Sequence, residues 1–194
     1  TRFALLVSAY LWACGSQRYE LTTQLALVKQ LAAVQRAIRD DKTANVGTAP
    51  AKIAPLARLG WPRLSLPTNS SVLVDNIVPA RARRMKSAMM PLWLEFSSAD
   101  PVPAAPTSVI FKVGDDLRQD MIVLNALNIM DKLWKQDGLD LRLSTFQCIP
   151  TGRDAGFVEV VLNSQTMAKI QRDANGLTGA LRATSLKAWI EEHN

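Results

Sequence analysis

The chain has 194 residues, of which 48% are hydrophobic and 21% are charged. This composition allows a buried core in one domain or in parts of two, and it excludes a broadly disordered chain. The net charge of +6 suits an anionic partner, although a modest basic excess is also common on ordinary solvated surfaces. The longest apolar run, residues 3–14, is too short and too interrupted to span a bilayer.

The numbers and positions of the cysteine and histidine residues limit the metal sites and catalytic mechanisms that the chain could carry. Cys14 and Cys148 are far apart and form no disulfide or metal-binding pattern, so they indicate free thiols in a reducing compartment. His193 is the one histidine, which argues against zinc ligation and against a catalytic triad. The absence of a cleavable apolar leader argues against secretion, and a start at Thr1 suggests a fragment of something longer.

One dense basic cluster follows residue 80 and consists of Arg81, Arg83, Arg84 and Lys86. No aromatic residues interleave with it to stack on bases. The sequence therefore predicts no nucleic-acid partner.

The first 71 residues contain two helical stretches and then an irregular one. Residues 2–14 and 17–39 are compatible with helices, and the second carries an apolar stripe at three- and four-residue steps. We expect these two helices to pack together and to close a larger helical array. Proline and glycine punctuate residues 41–71, which predicts a linker with one short helix around residues 52–59.

From residue 72 to residue 162 the pattern is typical of an α+β domain. Leu92, Leu94 and Phe96 alternate along one predicted strand, and another strand leads up to Met85. The remaining predicted elements are strands over residues 109–113, 139–148 and 156–162, a long helix from about residue 115 to 135, and helices over residues 167–173 and 185–192. Residues 163–194 are expected to begin a further domain, with Ser164 as a possible helix cap.

Lys112 ends an apolar strand and precedes a glycine turn, a double-aspartate helix start and Asp120. A lysine rooted in apolar surroundings costs free energy unless it is paired or functional, and kinases use such a lysine to hold ATP phosphates. The alternative is a strand-end lysine that extends to water, which spacing alone slightly favours. Asp115 and Asp116 are expected as cap and surface residues, and Asp120 lies where it can reach back to the lysine.

Residues 111–120, FKVGDDLRQD, resemble the signature of phosphoinositide 3-kinase catalytic subunits. Blocks at residues 2–15, 91–94, 129–134 and 138–142 are similar to flanking segments of that family. The resemblance implies a kinase-like N-lobe over residues 72–162, an antiparallel sheet with one long helix. The C-terminal end of an all-α helical domain would precede it in residues 1–40, and the truncated start of a kinase C-lobe would follow it in residues 163–194. It further implies transfer of the ATP γ-phosphate to the 3-hydroxyl of inositol phospholipids.

The resemblance also implies roles for individual residues. Lys112 would contact the ATP phosphates and face Asp120. Ser87 would lie in a phosphate-covering loop, and Val158 would be the gatekeeper. Glu159 and Val161 would offer adenine a backbone carbonyl and a backbone N–H. The implied nucleotide-binding residues are Met85, Ser87, Trp93, Ile110, Lys112, Asp120, Val158, Glu159 and Val161.

Three departures from the family pattern stand out. Met89 or Met90 replaces a loop lysine of many class I members, and Phe146 replaces a tyrosine in the pocket strand. The catalytic loop and the Mg²⁺ ligands are expected beyond Asn194. Class I and class II both remain open, with different lipid preferences.

The implied protein is cytoplasmic and peripherally recruited to membranes, where a regulatory subunit or small GTPase could bind its other regions. Two alternatives to a phosphoinositide 3-kinase remain open. One is a non-catalytic scaffold fragment, and the other is a phosphatidylinositol 4-kinase or a related protein kinase.

Overall fold

The computed structural model describes residues 1–45, 47–57, 63–100, 107–175 and 183–193. Two compact units are present, residues 1–160 and residues 161–194. The described helices are α1 Arg2–Ala13, α2 Gln17–Asp40, α3 Thr48–Ala57, α4 Arg118–Gln136, α5 Met167–Asn175 and α6 Ala183–His193. The described strands are β1 Leu64–Leu66, β2 Asn69–Ile77, β3 Arg83–Arg84, β4 Leu92–Ser98, β5 Thr107–Val113, β6 Cys148–Gly152 and β7 Ala155–Glu159. This arrangement confirms the predicted α+β class.

A single antiparallel sheet organises the first unit. Its strand order is β1-β2-β4-β5-β7-β6, and β3 also pairs with β4. The alternation predicted for residues 92–96 is confirmed, because Leu92, Leu94 and Phe96 are all buried on one face. Phe111 and Phe157 pack side by side in the centre of that face, with ring centroids 4.9 Å apart.

Helix α2 packs on the buried face of the sheet. Leu27, Leu31 and Ile38 share one hydrophobic core with the strands. At the edge of the sheet, Ser65 donates its N–H to Glu20 at 2.7 Å and accepts a hydrogen bond from Gln24, also at 2.7 Å. The expectation that α2 closes a helical array is therefore wrong for its apolar stripe, which completes the core of the sheet.

The segment 41–71 holds more structure than the predicted linker. Helix α3 confirms the short helix, although residues 58–62 lie outside the described residues. Strand β1 and the start of β2 were not predicted, because Leu64 and Leu66 flank a single polar residue and Pro67 follows them. Three residues are too few to show a two-residue period. The domain boundaries themselves remain predictions.

Helix α4 was predicted correctly, and Gly138 follows its end with a φ of +80°. The strand predicted from Leu139 is wrong for residues 139–147, because β6 begins at Cys148. Arg142 has a φ of +51°, and its N–H donates to the Asp140 side chain at 2.9 Å, so a local turn replaces extended backbone there. Strand β7 likewise ends at Glu159 rather than at residue 162.

Residues 161–194 form the second unit, in which α5 and α6 pack against each other. Ile170 is buried, and the rings of Trp189 and His193 stack with centroids 4.4 Å apart. Thr166, rather than the predicted Ser164, accepts a backbone N–H at the start of α5, from Lys169 at 3.2 Å. Across the described ranges of both units, no helix combines the length and apolar character that a membrane span requires.

Candidate functional site

Lys112 is placed by strand β5 and by the turn that follows it. Phe111 and Val113 point into the core, so Lys112 lies partly exposed on the opposite face of the sheet. Gly114 has a φ of +102°, which glycine adopts without steric cost. Its N–H donates to the carbonyl of Asp154 at 2.7 Å, which ties the turn to the β6–β7 hairpin. The chain therefore reverses directly after Lys112 and begins α4 beside it.

Asp116 organises the turn that leads into α4, but the N-cap residue is Leu117 and not one of the two aspartates that the sequence predicted as caps. Asp116 accepts the backbone N–H of Arg118 at 3.1 Å and two guanidinium hydrogen bonds at 2.8 and 2.6 Å. Hydrogen bonding from the Arg118 side chain is the main reason that the pKa of Asp116 falls to about 2. Asp116 thus stays ionised just before the first residue of α4, where its negative charge interacts favourably with the positive end of the helix dipole.

Lys112 forms its ion pair with Asp115, not with Asp120, within the part of the chain that the structure describes. The Lys112 Nζ lies 3.6 Å from the Asp115 carboxylate, and the two side chains are 30% and 38% exposed. A pair this exposed contributes only about 0.2–1 kcal/mol, because solvent screens it. A more highly charged anion, such as a phosphate, can therefore replace the Asp115 carboxylate as the partner of Lys112.

A cavity of about 480 Å³ opens between the sheet and α4. Its size lies within the range of small-molecule sites, about 300–1,000 Å³. Its lining combines one cation with an apolar wall. The lining residues are Lys112, Gln119, Asp120, Val123, Leu124, Leu127, Phe146, Cys148 and Val158. Three of the nine predicted nucleotide-binding residues, Lys112, Asp120 and Val158, therefore line one cavity.

Two further predicted residues lie in a row with Val158. In the register of the sheet, Trp93 is opposite Ile110, Ile110 is opposite Val158, and Val158 is opposite Cys148. Directly opposed residues of antiparallel strands share a face, so this row places Trp93 and Ile110 on the same face of the sheet as the cavity residues Val158 and Cys148. The guanidinium of Arg83 covers one face of the Trp93 ring, 4.1 Å from its centroid.

The pKa of the buried Cys148 thiol depends on the charged groups that line the cavity. Burial is the main cause that raises its pKa, the negative charge of Asp120 raises it further, and the positive charge of Lys112 lowers it. Its Sγ also lies 3.8 Å from the carbonyl of Leu117, at the start of α4. The Cys148 thiol is therefore close enough to feel the charges of both Lys112 and Asp120, the two charged groups that the sequence singled out.

Met85 and Ser87 lie in the loop that joins β3 to β4. The N–H of Met85 donates to the carbonyl of Pro91 at 2.8 Å, and the N–H of Ser87 donates to Met85 at 3.1 Å. The loop reaches the turn after Lys112, because a side chain added at Gly114 would come within 3.1 Å of the Met89 Sδ. The predicted phosphate-covering loop thus contacts the turn that follows the candidate phosphate-binding lysine.

The two predicted hinge residues, Glu159 and Val161, belong to different structural units. Glu159 donates its N–H to the carbonyl of Gln147 at 2.8 Å, and its carboxylate accepts the N–H of Gln147 at 2.9 Å. The N–H of Glu159 is therefore engaged, and the group that the resemblance assigns to adenine is its carbonyl. Val161 belongs to the second unit, where its carbonyl accepts a hydrogen bond from Ser164 at 2.6 Å. Both hinge assignments stay predictions.

Several cavity residues were not predicted as site residues. Val123, Leu124 and Leu127 follow Asp120 at steps of three, four and seven residues, the spacing of one helix face. That periodicity was available in the sequence. Periodicity does not predict Cys148 as a cavity residue, because only its pairing with Val158 brings it to the cavity.

An antiparallel sheet, helix α4, and a lysine and an aspartate that line the cavity between them fit a kinase-like small lobe. A family model described as phosphatidylinositol 3- and 4-kinase matches residues 106–192. Over the whole chain, phosphatidylinositol 3-kinase 1 and phosphatidylinositol 3-kinase 2 of Dictyostelium discoideum are each 40% identical to it. The human phosphatidylinositol 4-phosphate 3-kinase C2 domain-containing subunit beta is 37% identical over the whole chain.

The chain therefore belongs to the phosphatidylinositol 3- and 4-kinase family. This confirms the resemblance to phosphoinositide 3-kinases that the sequence motifs indicated. The chain spans about a tenth of the length of these relatives, namely 12%, 10% and 12% of the three.

Proposed function

We propose that these residues form the nucleotide-gripping part of a phosphatidylinositol 3-kinase, which transfers the γ-phosphate of ATP to the 3-hydroxyl of an inositol phospholipid. The observation that carries the proposal is the cavity in which Lys112 and Asp120 lie beside an apolar wall. The names of the relatives support the reaction and the lipid substrate. Because that substrate resides in a bilayer, we propose a cytoplasmic protein that acts at a membrane surface.

The cavity fits the two halves of a nucleotide. Val123, Leu127, Phe146 and Val158 supply apolar surface for a flat base, and Lys112 supplies a positive charge for the phosphates. Positioning and electrostatic stabilisation dominate phosphoryl transfer, so Lys112 would act by holding charge rather than by moving a proton.

ATP would supply the phosphoryl group, and Mg²⁺ is the ion that we propose neutralises its charge. Within the described ranges, no group of three or more acidic, histidine or cysteine residues could hold a metal ion. We therefore assign no residue of this chain to the metal. A regulatory subunit or small GTPase partner, and the choice between class I and class II, stay predictions.

Phosphate transfer to lipid vesicles tests the proposal in a protein of natural length that carries this chain. We expect labelled phosphate from ATP to appear at the 3-position of phosphatidylinositol lipids. Lys112→Ala should abolish it without unfolding the protein, whereas Lys132→Ala, which removes an exposed cation from α4, should not. Label at the 4-position, label on protein alone, no transfer by the unmodified protein, or full turnover by Lys112→Ala would each contradict the proposal.

A further inference from the structure

Gln35 is a buried polar residue on the face of α2 that packs against the sheet. Its side chain is 1% exposed, in a core that includes Leu31 and Ile38. Its Nε2 donates to the carbonyl of Met89 at 3.0 Å. Among the described residues, its Oε1 has no hydrogen-bond partner. A half-satisfied amide in an apolar core costs free energy that a leucine or methionine would not, so packing does not account for this residue.

The loop that Gln35 contacts is strained. Met90 has a φ of +46°, a left-handed conformation that costs free energy for any residue but glycine. The peptide between Met89 and Met90 is held at both ends, because Gln35 binds its carbonyl and Ser87 accepts its N–H at 3.1 Å. The Arg84 guanidinium lies 3.2 Å from the Met90 Sδ. Strained backbone persists where its surroundings over-determine it, and such places gather at ligand clamps.

The same stretch of α2 also reaches the turn after Lys112. The point at which a Cβ on Gly114 would stand is 3.1 Å from the Met89 Sδ and 3.7 Å from an Arg39 guanidinium nitrogen. Arg39 lies one helical turn after Gln35. Helix α2 therefore contacts both the β3–β4 loop and the turn that follows the candidate phosphate-binding lysine, from the opposite face of the sheet.

We propose that Gln35 is a positioning residue, which fixes the β3–β4 loop in the shape that receives the phosphates of a nucleoside triphosphate. This inference rests on the proposed function. Because Met89 and Met90 offer the phosphates no charge, this end of the loop acts through the orientation of its backbone. Loss of the Gln35 hydrogen bond frees the 89–90 peptide to rotate and weakens binding of the phosphates, while the base keeps its wall on the other side of the cavity.

Gln35→Met tests this role in the natural-length protein, because methionine matches the shape of glutamine and lacks its donor. Gln24→Met is the matched control. Gln24 lies eleven residues earlier, about three helical turns, and donates a similar bond to Ser65 at the distant edge of the sheet. The measurements are equilibrium binding of ATP, equilibrium binding of adenosine, and hydrogen exchange of the amides in residues 85–91 without nucleotide.

We expect Gln35→Met to weaken ATP binding about fivefold, which is the effect of one net hydrogen bond. The binding of adenosine should stay unchanged. Exchange in residues 85–91 should accelerate by a similar factor, and Gln24→Met should alter neither quantity. Unchanged ATP binding, equal weakening of ATP and adenosine, or the same effect from Gln24→Met would overturn the proposal. Binding and exchange need no turnover, so they decide the role of Gln35 even if the protein transfers no phosphate to lipid.

Discussion

Gly156 is the position at which the sheet has no room for a side chain. It lies in β7 directly opposite Lys112 in β5. A Cβ at this position would stand 2.4 Å from the Ile149 carbonyl and 2.8 Å from a methyl group of Leu117. The carbonyl belongs to the paired strand β6, so relief requires the backbone to move. Gly156→Ala should therefore loosen the β6–β7 hairpin and the start of α4 together.

The cost follows from the contacts. Overpacking in a well-packed core costs about 1–3 kcal/mol, and a clash with backbone belongs at the upper end of that range. About 3 kcal/mol corresponds to about 150-fold in the local opening equilibrium. We expect native-state hydrogen exchange of the amides in residues 155–159 to accelerate by that factor.

Gly152→Ala is the control for this experiment. Gly152 lies in the same hairpin, and nothing is within 4 Å of its would-be Cβ. Its exchange should stay within a few-fold of that of the unmodified protein. If Gly156→Ala exchanges as slowly as Gly152→Ala, the close packing of β6, β7 and Leu117 described here is wrong.

Three further predictions concern the core and the helices. Phe157→Ala should lower the free energy of unfolding by about 3–5 kcal/mol in denaturant titrations, because the ring is 1% exposed and packs on Phe111. Leu124→Ala should cost about 2–5 kcal/mol, whereas Ile122→Ala, at a 64% exposed position of the same helix, should stay within about 0.5 kcal/mol. Hydrogen bonding from Ser65, its side chain first and its backbone second, lowers the pKa of Glu20 below its ordinary 4.5. The unmodified protein should therefore exceed Glu20→Gln in free energy of unfolding by its full amount well above pH 4.5. This difference should vanish as the pH falls through the lowered pKa of Glu20.

Strong periodicity made part of the fold predictable. The alternation of Leu92, Leu94 and Phe96 gave β4, and the apolar steps after Leu117 gave α4. Strand β1 was not predictable, because its three residues are too few to show a two-residue period. The irregular chain before Cys148 was missed for another reason: the left-handed Arg142 is not evident from its residue type.

The candidate site was predictable where it follows the chain and not where it depends on the tertiary fold. The sequence placed Lys112 and Asp120 a few residues apart, and the structure puts both in one cavity. The ion pair with Asp115 depends on how the Gly114 turn folds, which spacing does not reveal. Gln35 lies 54 residues from its partner Met89, so its contact with the loop appears only in three dimensions.

Chemical labelling of lysines by an acyl phosphate of ATP tests most directly whether Lys112 lies beside the nucleotide phosphates. The Lys112 Nζ would attack the acyl carbon, form an amide and release ATP. In a protein of natural length, we predict rapid acylation of Lys112 that excess ATP suppresses, with slow labelling of Lys132 that ATP does not affect. Acylation of Lys112 at the rate of Lys132, or acylation that ATP fails to suppress, would contradict a nucleotide site at this cavity.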